Sequence, residues 1–228
     1  MPYPGLTQRL AEVRTRIAES QARRGWVHPV RVIAVTKTHP PEAVRAAVAA
    51  GLTAVGENRV QEALSKQEAL TDVQVEWHLI GTLQRNKARL AANRFALIHS
   101  VDSVALAEEL NRRSAAGTRQ PILVQVNCSA EPQKGGVEPE ELPALLDQIA
   151  PLDRLELRGL MTMAELTLDQ DVQRVAFRRL RELRDQAATR GIALRELSMG
   201  MSGDYLVAVE EGATMVRLGT LLFGERAT

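Results

Sequence analysis

RVIAVTKTHPPEAVRAAVAAGLTAVG, residues 31–56, reads as one strand–helix–strand unit. Arg31–Val35 is a short apolar run of strand length. Pro41 can start a helix that carries Ala43, Val44, Ala47 and Val48 to a stop at Gly51. Thr53–Gly56 is then a second apolar run. The same alternation continues through Val75–Ile80, Phe95–Val101, Ile122–Val126, Leu155–Leu160, Leu194–Ser198 and Thr214–Leu218. Between the runs lie helical patterns. Ser103 can cap one that holds Leu106 and Leu110 and ends near Gly117. Asp169 opens the longest, with Val172, Ala176, Leu180, Leu183 and Ala187 on one face and Gly191 after it. Ser202 can cap a short one that ends at Gly212. Ahead of all these, Leu6, Leu10, Val13 and Ile17 mark one face of an amphipathic helix.

Strands alternating with helices predict an α/β chain: a single-domain (β/α)8 TIM-type barrel over residues 1–228, with an extra N-terminal helix. A doubly wound open sheet is the rival, because short apolar runs do not settle closure. The lack of a GxGxxG motif after the first strand weighs against a dinucleotide-binding version of it.

The chain has 228 residues, 45% hydrophobic and 25% charged, with a formal net charge of +1. This composition excludes disorder and removes any global electrostatic case for nucleic acid or an anionic membrane. A single cysteine, Cys128, excludes an internal disulfide framework and a cysteine-rich metal site. MPYPGLTQRLAEV has neither the basic start nor the apolar run of a secretory signal, and no apolar stretch approaches membrane-spanning length. A soluble cytoplasmic protein is expected. Among 29 basic residues only Lys37, Lys66, Lys87 and Lys134 are lysines. For most of them composition bias is a sufficient account.

In a barrel, functional groups gather at the C-terminal ends of the strands. Lys37 sits there, at the end of Val-Ile-Ala-Val-Thr-Lys. A partly desolvated lysine can lose its proton and attack a carbonyl, which a guanidinium cannot do. A salt-bridged lysine at a strand end is the plain alternative. After the last two strands, Ser202 and the Gly219–Thr220 pair form small-residue loops suited to phosphate, although ordinary capping explains such residues too. Arg217 ends the eighth strand beside them and could hold a phosphate, a carboxylate or a ring nitrogen. His78 and His99, in apolar runs, read as hydrogen-bonded core residues. Cys128 shows no activating base and reads as a reduced, inert side chain.

Six motifs occur in order: Ala34-Val-Thr-Lys37-Thr, Gly56-Glu-Asn-Arg-Val-Gln-Glu62, Trp77-His-Leu-Ile-Gly81 with Gln84-Arg-Asn-Lys87, Gly159-Leu-Met-Thr-Met163, Ser198-Met-Gly-Met-Ser202-Gly-Asp204 and Val216-Arg-Leu-Gly-Thr220. Together they resemble the pyridoxal-phosphate homeostasis protein family, over nearly the whole chain. The resemblance implies a barrel like the N-terminal domain of alanine racemase, with pyridoxal 5′-phosphate held as a Schiff base on Lys37. It implies that Ser202, Gly219 and Thr220, with Met201 beside them, bind the phosphate. Arg217 would approach the pyridine nitrogen, Asn58 would lie in the pocket-lining loop, and Lys134 would be a secondary contact.

A permanently charged Arg beside the ring nitrogen discourages its protonation and weakens the cofactor as an electron sink. A racemase also needs a base on each face of the substrate carbon. The two tyrosines, Tyr3 and Tyr205, fall before the first helix and inside a predicted one. The expected function is therefore cofactor homeostasis or delivery with little or no turnover, in a monomer, with apo pyridoxal-phosphate enzymes as transient clients. The alternatives are a true racemase using the same cofactor, a cofactor-free aldolase acting on a sugar phosphate, and a purely structural barrel with an accidental lysine.

Overall fold

The computed structural model describes residues 3–129, 131 and 134–224. Eight strands form: β1 (Arg31–Val35), β2 (Ala54–Glu57), β3 (Glu76–Leu79), β4 (Leu97–Val101), β5 (Gln120–Gln125), β6 (Leu155–Met161), β7 (Glu196–Ser198) and β8 (Met215–Leu218). Each is hydrogen-bonded to the next in chain order, and β8 returns to β1 to close the barrel. The closing ladder is parallel and runs from Arg31 opposite Met215 to Ala34 opposite Leu218. The predicted barrel is therefore the observed one, and the open sheet is excluded.

The outer layer comprises α1 (Leu6–Arg24), α2 (Pro41–Ala49), α3 (Val60–Ala69), α4 (Ala88–Ala91) and α5 (Val104–Arg113), then α6 (Leu142–Ile149), α7 (Gln170–Thr189), α8 (Tyr205–Glu210) and α9 (Thr220–Phe223). No helix among the described residues is long and apolar enough to cross a membrane. α1 is the extra N-terminal helix. It buries Leu6, Leu10, Val13 and Ile17, packs on α8 and α9, and is fastened by Arg9 Nε donating to the Leu222 carbonyl at 2.8 Å. α2 stops where expected because Gly51 takes φ +85°, a conformation that side chains resist.

Three capping and facing expectations need correction. Asp169 caps α7 as expected, accepting from the amides of Asp171 and Val172. Val172 itself, however, faces solvent. The buried face of α7 is Gln173, Ala176, Phe177, Leu180, Leu183 and Ala187, because the helix meets the barrel one residue further round. Ser103 occupies the first cap position of α5 without making a side-chain capping bond. Ser202 does not cap α8, whose cap position is Asp204. Its hydroxyl instead accepts from the Leu221 amide at 3.3 Å, across at α9.

Alternation along the strands divides the core into two parts. Ile33, Ala54, Leu97, Leu123, Met161 and Met215 form an inner cluster. Their strand neighbours, including Ala34, Val55, Ile98, Leu160 and Val216, belong to the larger cluster under the helices. The two-residue period therefore also turns His99 and Arg217 inward, along with Val35 at the mouth.

Candidate functional site

A cavity of about 370 Å³ opens at the C-terminal ends of the strands. Lys37 and Asn58 line it from the ends of β1 and β2, Met201 and Ser202 from the loop after β7, and Arg217, Gly219 and Thr220 from β8 and the turn beyond. All seven site residues read from the sequence thus meet in one place. Met163, the last residue of the Gly159–Met163 motif, also lines it, as do Gln125, Glu165 and Gln173, which the sequence reading does not single out. Gln173 carried a usable signal, being a polar residue on the apolar face of α7.

The backbone on both sides of Lys37 is clamped. Thr36 Oγ1 donates to Glu57 Oε1 at 2.6 Å, and the Thr36 carbonyl accepts from Lys66 Nζ at 2.7 Å. On the other side, the Thr38 amide donates to Glu62 Oε1 at 2.6 Å, and Thr38 is held at φ +64°. Lys66 closes the cluster through Glu57 Oε1 and Glu62 Oε1, each at 2.8 Å. Composition bias is thus the wrong account of Lys66. It is buried, and its three ammonium donors find three acceptors in a space suited to a compact cation rather than a planar fork. Burial pushes the Glu57 carboxyl above its ordinary range, against the pull of Lys66 and Thr36. For Glu62 burial also pushes upward, but Lys66 and the Thr38 amide outweigh it and the net shift is downward.

Arg217 is buried and makes no ion pair among the described residues. Nη1 donates to Ser198 Oγ at 2.8 Å and Nη2 to the Thr162 carbonyl at 2.9 Å. Burial pulls its guanidinium down to about 10, so it stays cationic at neutral pH. Asp204, also on the cavity wall, is pushed up by burial, against the Met201 amide that donates to it and the charge of Arg217. A buried cation without a carboxylate partner leaves the cavity suited to an anionic ligand. Gly81 lets the β3 loop lie on Asn58: a Cβ there would stand 2.3 Å from the Asn58 carbonyl oxygen.

The remaining candidates fall outside the cavity wall. Lys134 donates to the Ala164 carbonyl at 2.6 Å and pairs with Glu131, so it steadies a wall residue without itself lining the site. Lys87 ends a single 3-10 turn, Arg85–Lys87. Cys128 is half-buried, and burial pushes its thiol up to about 12, which agrees with the inert reading. His78 and His99 are buried and hydrogen-bonded to each other at 2.9 Å, as expected of core histidines. Tyr3 bonds His39 at 3.2 Å and Tyr205 is buried in α8. Neither lines the cavity.

The donor set, an amine, a buried guanidinium, a hydroxyl and the glycine turn after β8, suits a phosphorylated aldehyde. Residues 9–227 match the family described as alanine racemase, N-terminal domain. The chain is 45% identical over 222 residues to the pyridoxal phosphate homeostasis protein of Aquifex aeolicus, covering 96% of this chain and 97% of that one. It is also 45% identical over 223 residues to its Pseudomonas aeruginosa namesake, covering 97% and 96%. PipY of Synechococcus elongatus, solved with PLP bound, superposes with a TM-score of 0.82 at 43% identity, covering 96% of this chain and 100% of that one. Alanine racemase of Clostridium difficile shares the fold at a TM-score of 0.75 and 15% identity, with 98% of this chain matched to 56% of that one. The chain belongs to the pyridoxal phosphate homeostasis protein family, on the barrel fold of the alanine racemase N-terminal domain.

Proposed function

We propose that this protein binds pyridoxal 5′-phosphate in the cavity and serves intracellular cofactor homeostasis or delivery, with little or no turnover. The observation that carries this reading is the convergence of Lys37, Ser202, Arg217 and Gly219–Thr220 on one cavity, in a chain 43% identical to a relative solved with PLP bound. Lys37 would hold the cofactor through its aldehyde carbon as a Schiff base, with release of one water. Bound in this way, the cofactor supplies an electron sink. Ser202 and the Gly219–Thr220 amides would take the phosphate, Arg217 would face the ring nitrogen as a cation, and Asn58 and Met201 would wall the ring.

Low turnover is supported by the wall itself. Neither tyrosine lines it, so the base that racemisation needs opposite Lys37 has no tyrosine candidate. In this reading the barrel works as a cytoplasmic monomer of one domain, residues 1–228, and passes its cofactor to apo pyridoxal-phosphate enzymes as transient clients.

The test is absorbance of the purified protein with added pyridoxal 5′-phosphate. A visible band at about 420 nm, characteristic of the cofactor's chemistry on an amine, is expected in the native chain and absent in Lys37→Ala. A native chain that stays colourless overturns the reading. Rapid α-proton exchange of amino acids, lost in Lys37→Ala, would overturn the low-turnover part.

A further inference from the structure

Four strands contribute to a buried polar row that crosses the inside of the barrel. Arg217 of β8 donates to Ser198 Oγ of β7 at 2.8 Å. Ser198 Oγ lies 2.9 Å from His99 Nδ1 of β4. His99 Nε2 lies 2.9 Å from His78 Nδ1 of β3. His78 Nε2 then faces Glu76 Oε2 at 3.6 Å, beyond hydrogen-bond length, at the opposite end of the barrel from the cavity. The interior of such a barrel is ordinarily filled with branched apolar side chains. Two imidazoles and a hydroxyl in their place need a reason.

The donors and acceptors allow one consistent direction. Arg217 can only donate, so Ser198 accepts from it. Ser198 keeps one proton, for which His99 Nδ1 is the acceptor in reach. His99 then carries its proton on Nε2 and donates to His78 Nδ1. His78 in turn carries its proton on Nε2, pointed at the Glu76 carboxylate. Reversing the row strands the Ser198 proton and turns the His78 lone pair toward a carboxylate. Burial lowers the proton affinity of both imidazoles, most of all His99, so the row is neutral apart from its ends.

We propose that Ser198, His99 and His78 are positioning residues for Arg217, forming a one-way hydrogen-bond row that fixes its guanidinium plane against the ring seated in the cavity. This rests on the reading above that the ring is that of pyridoxal 5′-phosphate. With the Ser198 proton committed to His99, the Ser198 lone pair faces Nη1. Together with the Thr162 carbonyl on Nη2, it leaves the guanidinium no freedom to turn. Removing the row leaves one anchor, and the field that Arg217 presents to the ring changes.

Two measurements decide it. Long-range 1H–15N NMR of the native apoprotein reads the histidine protons directly, with only four histidines to assign. Neutral Nε2–H forms are expected for both His78 and His99, and Nδ1–H on His99 overturns the row. Spectrophotometric pH titration of protein loaded with pyridoxal 5′-phosphate reads the consequence. Ser198→Ala and His99→Leu are expected to move the midpoint of the visible band by about half a pH unit, roughly threefold in proton affinity, while cofactor is retained. Variants that load and titrate like the native chain overturn the positioning role, even if they melt earlier. A native chain that forms no visible band fails the functional reading instead, and the NMR result then decides the row alone.

Discussion

Lys66 Nζ stands 2.8 Å from Glu57 Oε1, with both side chains buried directly behind the strand end that presents Lys37. The pair holds the floor of the site although neither member lines it. One atom of that floor, Glu57 Oε2, has no hydrogen-bond partner, so the carboxylate depends heavily on its cation.

Lys66→Met should therefore destabilise the fold by about 3 kcal/mol at neutral pH, the usual cost of leaving a buried charge alone. The loss should shrink on acidification. Glu57 already has a folded-state proton affinity above its ordinary value, and losing Lys66 raises it further. Such a group burdens the folded state when ionised and is relieved as pH falls through the raised folded value. Urea denaturation at pH 7.5 and pH 5 checks this, and an equal loss at both would count against it.

Gly81→Ala should cost about 1–3 kcal/mol, since the new methyl meets the Asn58 backbone, which cannot swing aside as a side chain can. Cofactor retention should fall with it. Gly203 lies on the same cavity wall, but nothing comes within 4 Å of a Cβ there. Gly203→Ala should match the native stability or gain slightly. Thermal melts of the two variants compare them directly.

Asp169→Ala should cost about 1 kcal/mol through loss of the cap that accepts the Asp171 and Val172 amides. Ser103→Ala, at a cap position without a side-chain bond, should cost less. Parallel denaturation curves resolve the difference.

Cys128 should react with a thiol reagent at pH 8 on the order of 10³-fold more slowly in the native protein than in urea. Burial moves its thiol from 9.0 to about 12 and so suppresses the thiolate. Equal rates in the two states would contradict the burial.

Much of this molecule was legible before folding was considered. β1 falls on Arg31–Val35 as read, and the other strands lie within two residues of their apolar runs. Strand runs and helix faces are short-range patterns, written by the spacing of apolar side chains. Most site residues were legible because they sit at or just past a strand end, which the parallel barrel sends to one side, and the family motifs marked Asn58 and Met201. The errors share a different cause. Sequence pattern alone puts Val172 on a buried face and Ser202 at α8, and both differ in the structure because the facing of a helix and the partner of a hydroxyl depend on what packs across from them.

The sequence by itself determined the alternation of strands and helices, the place of Lys37 at a strand end, and the loops that gather around it. Closure was decided only by the β8–β1 ladder, because pairing between strands some 180 residues apart has no local signature. The same closure decided which faces turn inward. It joined His78, His99, Ser198 and Arg217 across the barrel, while the β1–β2 pairing brought Lys66 under Thr36. Polar groups so far apart in the chain become partners only when burial removes water as the alternative.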